Sequence, residues 1–238
     1  MKLTEQVRVL EIIEEHTTIY PTLIIDTTDI ILVDTGFPTS FSLLKEAIKK
    51  EGIEVEQITK IYLTHQDWDH IGCVNTLLKF NPNIKVFAHR LEKPYIEGMQ
   101  IPIKVIKLRN EGKMDEYNHD RKIFDKLYCK IDETFDGEEI IGDNVKIRII
   151  HTPGHTVGHC VFYLIDSKSL IAGDALYNVD GTLIGSKDKY TQDIALAKES
   201  LKPLLELPME KIICYHGGIY TTDIKNRIEE IIEEKNTY

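Results

Sequence analysis

Several short apolar runs of this chain end directly beside a histidine or an aspartate, and this pattern constrains the fold more than any other feature. The runs ITKIYLT, SLIAG and KIICY lead into His65, Asp174 and His216. Runs of this length that are rich in Ile and Leu are typical of strands buried on one or both faces. The sequence therefore predicts an α/β fold in which strands carry chemically active side chains at their ends.

The predicted elements follow a similar order in the two halves. In the first half, VRVLEII, TLIID, DIILVD, ITKIYLT and IKVFAH are predicted strands, with an antiparallel turn at Asp29. Helices are predicted after DTGFP, ending near Gly52, and over IGCVNTLLKF, ending at Asn81-Pro82. The second half has predicted strands VKIRII, HCVFYLID, SLIAGD and KIICYH, and predicted helices over TQDIALAKESLKPLLEL and the charged C-terminus. No Pro-, Gly- or Ser-rich linker separates the halves, so residues 1–238 are predicted to form a single domain.

Residues 90–139 carry a looser pattern and a higher density of charge. The stretch KMDEYNHDRKIFDKLY predicts a helix with Met114, Tyr117, Phe124 and Tyr128 near one face. Such a helix would form a lid over a site, an oligomer contact or a cover over the core. The sequence leaves these three roles, and the oligomeric state, open.

Charge and composition argue against several classes of partner. A net charge of −10 disfavours nucleic acid, and no apolar run reaches the roughly 20 residues that a membrane-spanning helix needs. The opening MKLTEQVRVLEIIEEH is charged every few positions, so no signal peptide is predicted. A small-molecule partner and a cytoplasmic location are therefore expected. Because the four cysteines are scattered, they are expected to be reduced thiols: Cys73, Cys129, Cys160 and Cys214.

The densest group of polar side chains lies in THQDWDH, residues 64–70. Alternate side chains of an extended turn point to the same side, and imidazole and carboxylate are ligands of zinc, iron and manganese. The alternative is a hydrated loop that caps a helix, with Asp69 as the N-cap. HTPGHTVGH, AGDALY and ICYHGG add further ligand-type residues after strands. Together they give seven candidates for a two-metal site with a shared carboxylate: His65, Asp67, Asp69, His70, His155, Asp174 and His216.

The motifs THQDWDHIG, HTPGHT, AGD and YHGG, together with DTG at residues 34–36, resemble the metallo-β-lactamase superfamily in order and rough spacing. The resemblance spans nearly the whole chain. It implies a four-layer αββα sandwich of two similar halves, with metals in a groove at one edge of the two sheets. It also implies a first metal held by His65, Asp67 and His155, a second held by Asp69, His70 and His216, and Asp174 as the bridge.

The chain departs from the superfamily's usual His-x-His-x-Asp-His pattern, because Asp67 stands where the second His is expected. A carboxylate at this position is similar to the di-iron flavoproteins of the superfamily. Two divalent ions per chain are expected. Zinc is the expected ion, and Asp67 leaves manganese and iron open.

The resemblance implies a metal-dependent hydrolase in which a hydroxide bridging two divalent ions attacks a small ester, thioester or lactone. Asp69 would orient that hydroxide. A phosphodiester of nucleic acid fits poorly with the acidic charge, and a glutathione thioester is disfavoured because only some twenty residues follow His216. Two alternatives remain open. One is a di-iron redox protein with an external electron donor, and the other is a non-catalytic metal-binding module.

Other residues near these motifs receive lesser roles. Tyr177, three residues after Asp174, resembles the tyrosine by which lactonases of the superfamily bind the substrate carbonyl, and a core tyrosine is the alternative. Hydrogen bonds that support the ligands are expected from His151 and His159. Structural roles are expected for the remaining candidates, His16, His89, His119, Cys160 and Cys214.

Overall fold

The computed structural model describes residues 1–234, which contain sixteen strands and eight α-helices. The strands are β1 Val7–Val9, β2 Ile12–Ile13, β3 Thr18–Ile19, β4 Thr22–Ile25, β5 Ile30–Val33, β6 Lys60–Tyr62, β7 Lys85–His89, β8 Glu133–Phe135, β9 Ile140–Ile141, β10 Ile147–His151, β11 Cys160–Leu164, β12 Ser169–Ile171, β13 Leu176–Val179, β14 Thr182–Gly185, β15 Lys211–Cys214 and β16 Gly218–Tyr220. The α-helices are α1 Phe41–Lys50, α2 Trp68–Ile71, α3 Val74–Phe80, α4 Lys93–Ile96, α5 Ile103–Asn110, α6 Met114–Leu127, α7 Ile194–Glu199 and α8 Ile224–Glu233.

Twelve of the strands form two six-stranded sheets. The first sheet has the order β1-β4-β5-β6-β7-β8, and β5 to β8 run parallel. The second has the order β16-β15-β12-β11-β10-β9, with β12 and β15 parallel and the other pairs antiparallel. The antiparallel turn predicted at Asp29 joins β4 to β5.

Alternation along the strands divides the buried side chains among three cores. On β4, Leu23 packs on the same side as α1, whereas Ile24 faces the second sheet. On β11, Phe162 faces the first sheet, and its neighbour Val161 packs on the side of α8. The molecule therefore has four layers, helices on a sheet facing a sheet covered by helices, and the predicted αββα sandwich is confirmed.

Parallel pairing brings several strand ends to one edge of the sandwich. Asp34 follows β5 and His65 lies three residues beyond β6, and these two strands are parallel neighbours. In the second sheet Asp174 and His216 follow the parallel pair β12 and β15. Carboxyl ends of parallel strands lie at the same edge of a sheet. The fold thus gathers side chains that are far apart in sequence.

The loop after β5 packs closely against the start of α2 and fixes its position. Thr35 N donates to the carbonyl of His70 at 2.7 Å, and Gly72 N donates to that of Gly36 at 2.9 Å. A Cβ atom at position 72 would lie only 2.4 Å from the backbone carbon of Phe37, so this close approach requires glycine. The helix that carries His70 is therefore held against the 34–36 loop.

Three predicted helices differ from the structure in their extent. The segment predicted as one helix over 191–207 is α7 followed by a 3₁₀-helix at Lys202–Glu206, since Pro203 lacks the N–H that a continuous α-helix needs. IGCVNTLLKF is divided between α2 and α3. In α6, Phe124 is buried, but Met114 is exposed and Tyr128 lies beyond the last turn, so the predicted single apolar face is wrong in part.

The hairpin of β13 and β14 is absent from the predicted elements, although its turn has a sequence signal. Asp180 and Gly181 connect the strands, and both have positive φ, +50° and +82°. An Asp-Gly pair is preferred in such two-residue hairpin turns.

The charged segment 90–139 contains α4, α5, α6 and β8. Helix α5 packs against α6, and α6 packs against α2, so the segment covers the part of the chain that carries the THQDWDH motif. No helix within residues 1–234 combines the length and apolar character needed to cross a membrane.

Candidate metal centre

The structure brings all seven predicted ligand residues together at one edge of the sandwich. They form two groups, and within each group the potential ligand atoms lie within 4.8 Å of one another. The groups contain His65, Asp67, His155 and Asp174 in the first, and Asp69, His70 and His216 in the second. The membership agrees with the sets implied by the family resemblance. The role of these residues as ligands remains a prediction.

In the first group, the carboxylate of Asp67 lies between two imidazoles. Its Oδ2 is 3.3 Å from Nε2 of His65 and 3.2 Å from Nε2 of His155. His155 is supplied by the loop between β10 and β11, so the group joins the two sheets. Nδ1 of His65 lies 2.9 Å from the Thr64 hydroxyl, which leaves Nε2 directed at the group.

In the second group, Asp69 faces two other imidazoles. Asp174, a member of the first group, faces the same two imidazoles. Oδ2 of Asp69 is 3.3 Å from Nε2 of His216 and 3.8 Å from Nε2 of His70. Oδ1 of Asp174 is 3.2 Å from Nε2 of His70 and 3.5 Å from Nε2 of His216. Its other oxygen, Oδ2, lies 3.4 Å from Nε2 of His155 in the first group. The two oxygens of Asp174 therefore face different groups, as a shared ligand requires.

Three buried polar atoms at the centre indicate that a cation fits here. Nε2 of His65, Nε2 of His70 and Oδ1 of Asp174 have no hydrogen-bond partner among residues 1–234. Buried polar atoms are nearly always paired, because leaving one unsatisfied costs about 1–3 kcal/mol. Imidazole nitrogens and carboxylate oxygens that converge in this way are the donor set of a divalent transition metal.

The electrostatics of the metal-free site favour positive charge. Burial alone would raise the pKa of Asp174, but His216 and His70 outweigh it and hold that pKa well below its ordinary value. Burial likewise lowers the pKa of His70, yet Asp34 and Asp174 raise it well above the usual range. The raised pKa of His70 favours its protonated form, so an ion that bound here would displace a proton, since a coordinating imidazole must be neutral.

Asp34, in the DTG motif, orients His70 from behind. Its Oδ2 accepts hydrogen bonds from Nδ1 of His70 and from the hydroxyl of Thr64, both at 2.8 Å, and its Oδ1 accepts from the backbone N–H of Thr64 at 2.9 Å. These bonds direct Nε2 of His70 toward Asp174. Asp34 has φ of +60°, a left-handed conformation that Asp and Asn tolerate better than most residues.

We expect Asp34→Ala to weaken metal binding about 10- to 100-fold, because supporting hydrogen bonds fix the orientation of a ligating imidazole. Metal content after dialysis against buffered metal would measure the loss. Asp34→Asn is the matched variant, because Asn tolerates the left-handed backbone at this position. Circular dichroism would establish that the Asp34→Ala and Asp34→Asn proteins are both folded. Wild-type metal affinity in folded Asp34→Ala would show that Asp34 does not position a ligand.

Glu92 and His159 also support the centre. The carboxylate of Glu92 accepts from the backbone N–H of Gln66 at 2.8 Å and of Gly158 at 2.6 Å, so it joins the two ligand-bearing loops. Nε2 of His159 accepts from the N–H of Asp174 at 3.0 Å, as expected for a supporting residue. His151 instead donates to the Val157 carbonyl at 3.0 Å. No motif in the sequence marks Glu92.

The remaining histidines and the cysteines have the surroundings that the sequence predicts. His16 and His119 are exposed, and His89 is buried with its ring stacked on His151 at a centroid distance of 4.2 Å. All four cysteines are buried free thiols, and burial raises the pKa of Cys214, which keeps this thiol in its neutral form.

Tyr177 lies beside both Asp174 and His216. Its hydroxyl donates to Oδ2 of Asp174 at 2.5 Å, and its ring stacks on His216 with centroids 5.3 Å apart. Burial, with Asp174, raises the pKa of Tyr177 well above its ordinary value, so the hydroxyl stays a donor. The side chain is buried, yet it belongs to the centre rather than to the apolar core alone.

The sequence profile of the metallo-β-lactamase superfamily matches residues 18–216. The chain belongs to the metallo-β-lactamase superfamily. The probable metallo-hydrolase YflN of Bacillus subtilis is 27% identical over 232 residues, a match that covers 84% of this chain and 83% of the relative. A hydroxyacylglutathione hydrolase of Rhizobium etli is 27% identical over 191 residues, covering 79% of this chain but only 59% of the relative.

A solved structure shows the same fold at greater sequence distance. The crystal structure of a metallo-β-lactamase family protein from Thermus thermophilus matches with a TM-score of 0.77 and 21% sequence identity. The match covers 98% of this chain and 80% of that chain. The shared architecture agrees with the superfamily assignment.

Asp67, which stands where the superfamily usually has a histidine, has a lysine beside it. Nζ of Lys104, on α5, forms an ion pair with Oδ2 of Asp67 and lies 3.0 Å from Nε2 of His155. Burial would raise the pKa of Asp67, but Lys104 and then His65 hold it well below its usual range. Lys104 is not among the predicted site residues, because it lies in the charged segment that has no motif.

Proposed function

We propose that this chain is a metal-dependent hydrolase that holds two divalent ions and cleaves a small ester, thioester or lactone. The observation that supports it best is the carboxylate of Asp174, whose two oxygens face the two separate groups of ligand-type residues. Zinc is the proposed ion, with manganese and iron as alternatives because of Asp67. His65, Asp67 and His155 would hold one ion, and Asp69, His70 and His216 the other.

Bound divalent ions would lower the pKa of a water molecule and polarise the bond to be cleaved. The residues of the chain would position the reactants around them. The side chain of Asp69 is 14% exposed, so it can contact a reacting water, orient it and accept its proton. The Tyr177 hydroxyl, which donates to Asp174 without substrate, would have to turn from Asp174 to donate to the substrate carbonyl as negative charge develops there.

A small acyl substrate is supported by the relatives and by charge. One relative is named a metallo-hydrolase and another a hydroxyacylglutathione hydrolase. The net charge of −10 makes a phosphate backbone an unfavourable partner. We therefore propose a small-molecule substrate and no nucleic-acid partner. As separate proposals, the protein has no membrane partner and is cytoplasmic.

Hydrolysis of matched panels of esters, thioesters and lactones by metal-free protein reconstituted with zinc, manganese or iron would test this function. We expect metal-dependent turnover of at least one class and none without metal. Metal binding without turnover of any panel member would favour a non-catalytic module. Reduction of oxygen or nitric oxide by the iron form with an external donor would favour a di-iron redox protein.

We expect Tyr177→Phe to lower kcat on a cleaved ester or lactone by about 10²- to 10³-fold, the usual effect of losing one oxyanion donor. Metal content should be unchanged. Tyr163→Phe is the matched control. Among residues 1–234, the Tyr163 hydroxyl has a hydrogen bond only to the Pro208 carbonyl, at 3.4 Å. An unaltered rate would assign Tyr177 to the core, and a loss of metal would assign it to the support of Asp174.

A further inference from the structure

The ammonium group of Lys104 lies inside the first group of ligand-type residues. It pairs with Oδ2 of Asp67 and is 3.0 Å from Nε2 of His155. These two atoms are also directed at the space where an ion would be held, since both belong to residues of the same four-membered cluster. A cation from the chain itself therefore competes for the atoms that would bind the first metal ion.

An ion and this ammonium cannot use the same two atoms together. Zinc binds carboxylate oxygen and imidazole nitrogen at about 2.0–2.2 Å. An ammonium that is hydrogen-bonded to the same oxygen and nitrogen would lie too close to such an ion and would repel it. Binding of the first ion must therefore move Lys104.

The backbone of Lys104 is held in place while its side chain reaches inward. Lys104 is in the first turn of α5, between the buried residues Pro102 and Val105, and α5 packs against α6. The Lys104 side chain is 23% exposed, so part of it already borders solvent. Displacement thus needs only a rotation of a long side chain.

The positive charge of Lys104 balances the negative charge that Asp67 introduces where the superfamily usually has a histidine. The superfamily's usual His at this position is neutral when it binds a metal, whereas Asp67 adds one negative charge. Lys104 adds one positive charge at the same oxygen. The second group differs, because no Lys or Arg among residues 1–234 forms an ion pair with Asp69.

We propose that Lys104 is a competing cation that controls occupancy of the first metal position, so that an ion binds the second position first and binds the first position only by displacing Lys104. This inference rests on the proposed metal-binding role of the two groups, but it does not depend on hydrolysis. It assigns a function to the covering segment, since α5 delivers the competing group.

Calorimetric titration of the metal-free full-length chain with Zn²⁺ and with Mn²⁺ would test the proposal. We expect a tight and a weaker binding step in the wild type, and a weaker step strengthened about ten-fold in Lys104→Met, because a charged hydrogen-bonded competitor is removed. Lys107→Met is the matched control, since Lys107 is exposed on the same helix. His216→Ala should remove the tight step.

Thermal unfolding provides a second readout that a merely structural lysine would not give. Lys104→Met should lower Tm in the metal-free chain, where Asp67 loses its partner, and raise Tm above that of the wild type at a metal concentration that fills the second position but only part of the first. A Tm lowered equally with and without metal would overturn the proposal.

The titration separates this inference from the proposed function. The inference alone would be overturned if the wild type bound two ions and if the affinity of each step were the same in the wild type, Lys104→Met and Lys107→Met. Failure of both the wild type and Lys104→Met to bind either ion would overturn the proposed function and the inference together. Binding of a second ion only by Lys104→Met would support the competition and would overturn two-ion occupancy of the wild type.

Discussion

Asp174→Ala is expected to lose at least one of two metal ions and to lower kcat by at least about a hundredfold. The two oxygens of Asp174 face different groups of ligand-type residues, so its removal affects both. A hundredfold change corresponds to about 3 kcal/mol, the scale of the charge stabilisation that a bound divalent ion provides. Metal content by elemental analysis and kcat on the best panel substrate would measure the two effects.

Asp166→Ala is the matched control for that variant, because Asp166 is exposed and lies in the same half of the chain. It should keep both ions and full turnover. Two ions per chain and wild-type kcat in Asp174→Ala would show that Asp174 is not a shared ligand. Loss of folded structure would be detected by circular dichroism before the metal analysis.

Asp67→His should shift the preference of the first position toward zinc and weaken that position about ten-fold for every divalent ion. Imidazole favours zinc over harder ions, which explains the shift in preference. The weakening follows from Lys104, whose ammonium would lose its carboxylate partner and oppose the incoming ion without a neighbouring negative charge to offset it. A more positive site should also move the rising limb of the pH–rate profile to lower pH.

The double variant Asp67→His/Lys104→Met gives the decisive comparison. It removes one negative and one positive charge together, so its first position should bind as tightly as that of Lys104→Met, about ten-fold more tightly than the wild type and not merely at the wild-type level that additivity gives, while the zinc preference remains. Calorimetry with zinc and manganese on all four chains of the cycle would measure the coupling. Additive effects of the two substitutions would contradict a functional pair and would make Asp67 only a tolerated replacement for His.

The layers of the fold and the ligand-type residues could be predicted because short stretches of sequence indicate both of them. The apolar runs determine the strands, and five of the seven candidate ligands lie within five residues of a strand end, whereas Asp69 and His70 lie in α2. Alternation along β4 and β11 places neighbouring side chains in different cores, and the continuous apolar runs TLII and CVFYL are typical of strands buried on both faces. The break at Pro203 and the Asp180-Gly181 turn also have local signals that could have been used.

The supporting residues could not be predicted because their contacts join distant segments without a motif. Lys104 meets Asp67 across 37 positions, and Glu92 meets Gly158 across 66. A single lysine in a charged helix looks like a solvated residue until the packing of α5 is known. Asp34 enters the sequence prediction only as part of the DTG match, and its bonds to His70 depend on how β5 pairs with β6.

We propose above that the two groups of ligand-type residues hold two divalent ions. Elemental analysis of the wild-type chain, first as purified without added metal and then after reconstitution to saturation, tests this claim most directly. The first sample identifies the native ion as zinc, manganese or iron. We expect two divalent ions per chain at saturation, and saturation at one ion or none would show that the two groups do not form a two-metal site.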